Sequence, residues 1–244
     1  MAPSQYKFQM AIHDFQAARQ RAAIQEILAR ITGKSTQLLS YEEVAEKLKL
    51  RIRTERGLQQ IPIDAIVGSV GRYTDFTRTF LPRRAGDRER WANVKATFLE
   101  DGAGLPPIEV YKVGAAYFVI DGNHRVSIAK QEKFQSIEAR VIEVRTDVPL
   151  TPDVQPDDLI IKAEYAEFLE ATRIMDLRPN VDLSVTIPGQ YEKLIEQMCV
   201  QECLLDGDHM RLTVLDQAPI SEGSTGAQHS PRFGENGHPV RGMA

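Results

Sequence analysis

Cysteine is almost missing from this chain. Only Cys199 and Cys203 occur in 244 residues, and a pair four apart in a helix-like segment suits reduced thiols on one face, so a disulfide framework is excluded. No uninterrupted apolar run comes near the ~20 residues needed to cross a bilayer, so no membrane-spanning helix is expected. The opening MAPSQYKFQMAIHDFQAARQ has no charged segment followed by an apolar core and a small-residue cleavage site, so a cytoplasmic address is expected. There is no excess of positive charge either. The formal net charge is -4, which disfavours a dedicated duplex-DNA binder. No internal repeat is visible.

What is present is an ordinary globular composition, 42% hydrophobic and 26% charged, in a chain long enough to bury a sizeable core. The charge is unevenly placed. Residues 1–145 hold 23 Lys+Arg against 17 Asp+Glu, and the remainder holds 7 against 17, so a basic body (+6) carries an acidic extension (-10). Anionic ligands are expected at the body.

Periodicity divides the chain. Phe8, Ile12, Phe15, Ala18, Ala22, Ile24, Ile27, Leu28 and Ile31 recur at steps of three and four, which predicts a long amphipathic helix over residues 5–31, closed by Gly33. The TGKSTQ that follows ends like a phosphate-binding P-loop, but Leu28 stands where that pattern needs glycine and a helix precedes it where a strand is required. Ser40 and Glu43 make a capping-box signature for a second helix from Tyr41. Ile61 to Val67 reads as a strand entering a turn, and residues 87–100 as a helix through Trp91, Val94 and Phe98. Ile108–Val113 and Tyr117–Ile120 read as a hairpin across Gly114, and residues 137–144 as a further strand. Beyond the prolines at 149, 152 and 156 come a helix from Asp157, a weak strand over 183–187 and a helix from Gln190. From Ala218 the Gly-, Pro- and Ser-rich tail is expected to be disordered, and its His229 and His238 lack the other ligands a metal site needs.

One stretch carries chemistry. In YFVIDGNHRVSIAKQ, a strand runs into Asp121-Gly122 and then into a helix whose first turn holds His124 and Arg125, where backbone N–H groups already present partial positive charge. Gly122 permits close approach to the backbone, Asp121 serves as cap, and Asn123, His124 and Arg125 stand beside free amides. Such a turn is suited to phosphate, with Arg125 offering a forked donor set. The alternative is that Arg125 pairs with Asp121 and that His124 is a hydrogen-bonded core histidine. Residues 72–95 hold seven Lys+Arg against three Asp+Glu, with Tyr73 and Phe76 between them, either a second phosphate clamp through Arg72 or Arg78 or a solvated surface.

The order of these elements from about residue 58 to 145, with Gly122-Asn123-His124-Arg125 after the strand that begins at Pro107, resembles the ParB/sulfiredoxin-like superfamily. The resemblance implies an α/β (α+β) core, a small mixed sheet with packed helices, over residues 58–146. A helical extension over 1–57 would precede it, and an acidic helical extension over 147–217 and the tail 218–244 would follow. It further implies that the turn holds the phosphates of a nucleoside di- or triphosphate, ATP, ADP or CTP, with Mg2+.

Sulfiredoxins carry a nucleophilic cysteine where this chain has Asn123, and an amide cannot replace a thiolate, so that chemistry is excluded. Chromosome-partitioning relatives add a phosphate-contacting helix and a DNA-reading helix pair, and residues 157–172, with Lys162, Glu164 and Tyr165, do not reproduce the pattern. Free-serine kinases of the superfamily have a similar Asp-Gly-His-His-Arg turn. Phosphoryl transfer would need a carboxylate for the acceptor hydroxyl, for which Asp121 is nearest and Asp75, Glu109 and Asp64 are weaker. Nuclease relatives would need converging metal-binding carboxylates, and no pair suggests itself. The reading is therefore a nucleotide-dependent phosphotransferase or hydrolase with Asp121 and His124 as catalytic candidates and Gly122, Asn123, His124, Arg125, Arg72 and Arg78 on the phosphates. The alternative is a non-catalytic, nucleotide-sensing or DNA-associated module whose helical extensions contact a protein partner or nucleic acid. DNA is not the favoured partner, and no membrane is expected.

Overall fold

Ser4 sets the first helix. Its hydroxyl accepts from the Lys7 amide at 3.4 Å, and α1 (Gln5–Thr32) runs from there until Gly33 takes φ 69° and closes it. A computed structural model of the chain describes residues 4–33, 35–101, 104–178 and 183–204. The chain divides into two units, 1–201 and 202–244, and the sites considered below lie in the first.

Only the first part of the predicted stripe on α1 is buried. Ala11, Phe15, Ala18 and Ala22 are covered, whereas Ile24, Ile27, Leu28 and Ile31 remain exposed. Length supplies the reason. At 1.5 Å per residue α1 is roughly 42 Å long, and α3 (Arg88–Asp101), whose Ala92 and Ala96 pack on Ala11, is roughly 21 Å long, so it can cover half of it. Small residues at this contact let the two helices lie close together.

The sheet is mixed and has six strands: β1 (Leu39–Ser40), β2 (Arg53–Pro62), β3 (Ile66–Ser69), β4 (Ile108–Val113), β5 (Ala116–Asp121) and β6 (Ser136–Val144), in the order β1-β3-β5-β4-β6-β2. The expected hairpin is β4 and β5, antiparallel, with Tyr111 opposite Phe118. β3 runs parallel to β1 and β5, β6 runs parallel to β4, and β2 closes the edge antiparallel to β6. The α/β class expected from the sequence is therefore the one observed. Along β4 and β5 alternate residues face opposite sides. Val110 and Val119 join Ile108, Ile66, Phe76 and Phe80 in the main core, which α4 (Asn123–Gln131) covers with Val126 and Ala129. On the other face Tyr41, from α2 (Tyr41–Lys47), stacks on Tyr111 at 4.3 Å and meets the edge of Phe118 at 5.8 Å, and α5 (Asp158–Thr172) packs beside α2.

Two expectations need correction. β2 starts at Arg53, eight residues before the predicted strand at Ile61, and every residue of that polar stretch, Arg53 to Gln60, is exposed. It is an edge strand, charged and interrupted by an irregularity between Glu55 and Gly57, features that discourage pairing with other chains. Residues 183–187 are not a strand. The Tyr191 hydroxyl, at the start of α7 (Gln190–Leu204), donates to the Leu183 carbonyl at 2.9 Å and accepts from the Val185 amide at 3.0 Å, so the groups a ladder would use are already engaged. A four-residue helix, α6 (Ile174–Leu177), follows α5. The tail from residue 218 and the side chains of Cys199 and Cys203 lie outside the described residues.

Candidate functional site

β5 ends at Asp121, and α4 begins two residues later. Gly122 is the N-cap at φ 107°, and no side chain caps the helix, so Asp121 does not have the capping role expected of it. A methyl group at Gly122 would stand 2.6 Å from Ile108 Cγ2 and 3.0 Å from Arg125 Nε. Glycine is required here by both dihedral and space. The Val126 amide closes the first turn on the Gly122 carbonyl at 3.0 Å, and among the described residues no group accepts from the amides of Asn123, His124 and Arg125. These are the orphan donors of a helix start.

Arg125 is committed inside the protein. Its guanidinium donates to the Asp121 carboxylate and to the Pro107 carbonyl, and also to the Pro106 carbonyl at 3.3 Å. Its side chain is only 19% exposed. The cation next to the helix dipole is thus neutralised by Asp121, and the planar fork ties the segment before β4 to the start of α4. Of the two readings the sequence left open for Arg125, the pair with Asp121 is the one observed.

His124 faces the other way, into the loop between β3 and α3. Its ring is buried, edge-on to Phe76 at 5.5 Å. Arg72 Nη1 lies 3.5 Å from Nε2, and Asp87 Oδ1 lies 3.9 Å from the same nitrogen. Gly71 at φ 73° makes the turn that aims Arg72 there. Arg72 also donates to Asp75 and to Asp87, both at 2.9 Å, and Arg84 pairs with Asp75 at 2.8 Å. Burial pulls the His124 pKa down to about 4, Asp87 opposes this, and Arg72 and Arg90 reinforce it. The imidazole is therefore neutral at pH 7.

Because Arg72 can only donate, Nε2 is the acceptor and Nδ1 carries the hydrogen. Nδ1 is buried without a partner, as is Asn123 Oδ1. A donor on His124 and three free amides therefore lie at one helix start. Arg72, Arg84 and Arg90 outnumber Asp75 and Asp87 around it, so the local balance favours an oxyanion. Neither Asp75 nor Asp87 stood out in the sequence as a partner of His124, because neither shares a local spacing with it. Arg78 is not part of this group. It donates to the carbonyls of Pro152, at 3.2 Å, and Val154. Glu109 pairs with Asp121 across the β4–β5 ladder, and Asp64 is exposed beside Lys130 at 3.9 Å. Among the described residues no group of three or more His, Cys, Asp or Glu could hold a metal ion.

Compared with protein-family models, with curated proteins and with solved structures, the chain matches none of them.

Proposed function

We propose that the chain binds a nucleoside di- or triphosphate, ATP, ADP or CTP, through phosphate oxygens placed at the start of α4. The observation that carries this reading is the set of three unpartnered amides in the first turn of α4, next to a buried His124 whose Nδ1 has no partner, in a cation-rich surround. Each charge-assisted hydrogen bond from such a donor contributes about 1.5–3 kcal/mol. The choice of a nucleotide among phosphate compounds rests on the ParB/sulfiredoxin-like order of elements. In this reading Arg125 shapes the turn, and Arg72 and Arg90 supply the field.

The same geometry favours binding without turnover over phosphoryl transfer, since Asp121, the expected base, is held by Arg125. Calorimetric titration with ATP, ADP and CTP, each with and without Mg2+, tests the site. Saturable binding that Arg90→Glu weakens supports it, and flat titrations with all three nucleotides overturn it. Release of phosphate or ADP, abolished in Asp121→Asn with binding retained, would instead make the protein a phosphotransferase or hydrolase.

A further inference from the structure

A second group of cations lies at the other end of α4. Lys130, seven residues beyond His124's neighbour Asn123 and so about 10 Å along the helix, lines a cleft of 390 Å³ together with Arg78. Its apolar lining comes from Leu28 and Ala29 of α1 and from Ile66 of β3, and Thr36 and Thr79 add hydroxyls. A volume of this size suits a small organic ligand.

The two cations in the cleft are poorly matched by the protein itself. Arg78 donates to main-chain carbonyls and makes no contact ion pair among the described residues, and its Nη1 is buried with no acceptor. Lys130 is 16% exposed and lies over the Phe80 ring at 5.5 Å, and its carboxylate neighbour, Asp64, is 3.9 Å away and 96% exposed. A pair at that distance with a solvated partner contributes little. Burial lowers the pKa of both Lys130 and Arg78; Arg78 lowers that of Lys130 further, and Asp153 and Asp158 act on Arg78 in the opposite sense, so an anion beside Lys130 would relieve its burial and its repulsion from Arg78.

We propose that this cleft is a second ligand site, separate from the start of α4, for a small molecule that carries one oxyanionic group, carboxylate or phosphate, on an apolar body. The oxyanion sits between Lys130 and Arg78, within reach of the Thr79 hydroxyl, and the apolar body lies against Leu28 and Ile66. Leu28 is thereby given a role, since it is 53% exposed on a stretch of α1 that no other element covers fully.

Calorimetric titration of the full chain with phenyl phosphate, benzoate and the neutral benzyl alcohol tests this. The oxyanions bind saturably and the alcohol does not. A tighter phenyl phosphate assigns the site to phosphate, and a tighter benzoate assigns it to carboxylate. Lys130→Gln weakens binding at least tenfold, and Leu28→Trp, which fills the cleft from an exposed position without entering the core, abolishes it. His124→Ala leaves it unchanged, which separates this site from the first. Heat-induced melting of each variant reports that it is folded. The proposal is overturned if neither oxyanion binds, if folded Lys130→Gln and Leu28→Trp bind as the parent does, or if folded His124→Ala loses binding.

Discussion

Arg72 Nη1 stands 3.5 Å from His124 Nε2, bringing together a loop residue and a helix residue 52 positions apart. A guanidinium cannot accept, so the contact requires a neutral ring, and burial provides the same bias.

That bias makes stability depend on pH. The folded pKa of about 4 lies below the ordinary histidine value of 6.5, so between these values the unfolded chain binds more protons and stability falls as pH falls. The loss begins below pH 6.5, is complete near pH 4 and amounts to about 3 kcal/mol. Asp87, Asp75, Arg72 and Arg90 face the ring throughout. Urea unfolding at pH 7, 5.5 and 4 is expected to show this slope, and His124→Gln to flatten it. An unchanged slope in the variant would reject the assignment.

Lys95 on α3 is 3% exposed and pairs with Glu132, with Asp14 of α1 at 3.7 Å, so it links three helices. Glu132→Gln leaves the ammonium buried with a weaker partner. The cost is expected to be about 2–3 kcal/mol, below that of a fully buried pair because Glu132 is 35% exposed. Lys95→Met removes the charge with the stem retained and is expected to cost less than Glu132→Gln. The reverse ranking in denaturant midpoints would show that the pair is not what holds these helices.

Gly122→Ala combines a φ of 107° with a contact at 2.6 Å to Ile108 Cγ2. A loss of about 2–4 kcal/mol is expected in equilibrium unfolding, and nucleotide binding is expected to fall with it if the proposed site is at this turn. Full stability in this variant would mean that the turn relaxes.

Trp91 Nε1 donates to Ser127 Oγ at 3.1 Å in the interior. Ser127→Ala leaves the indole N–H unpartnered, with an expected cost of about 1–3 kcal/mol. Thermal melting checks it, and a shift within error would point to another acceptor for the indole.

The hairpin, α4, β6, the start of α2 and the end of α1 were legible because each has a local cause: alternation, the capping serine Ser40, a closing glycine. β2 was not legible over Arg53 to Gln60, since an edge strand with polar residues on both faces has no hydrophobic period to read. The Tyr191 hydroxyl that occupies residues 183–185 acts across a gap that no window of spacing reveals. In the site, the glycine and the free amides were readable, but the partners of the charged side chains were not.

By itself the sequence determined that a strand gives way to a helix at Gly122, with donors left over, because backbone geometry and capping act between neighbours. Only the tertiary structure decided that Arg125 is spent on Asp121 and the proline carbonyls, that His124 meets Arg72, and that Arg78 turns to a separate cleft. Long cationic side chains choose partners by proximity through space, and that proximity is created by how the sheet and helices pack.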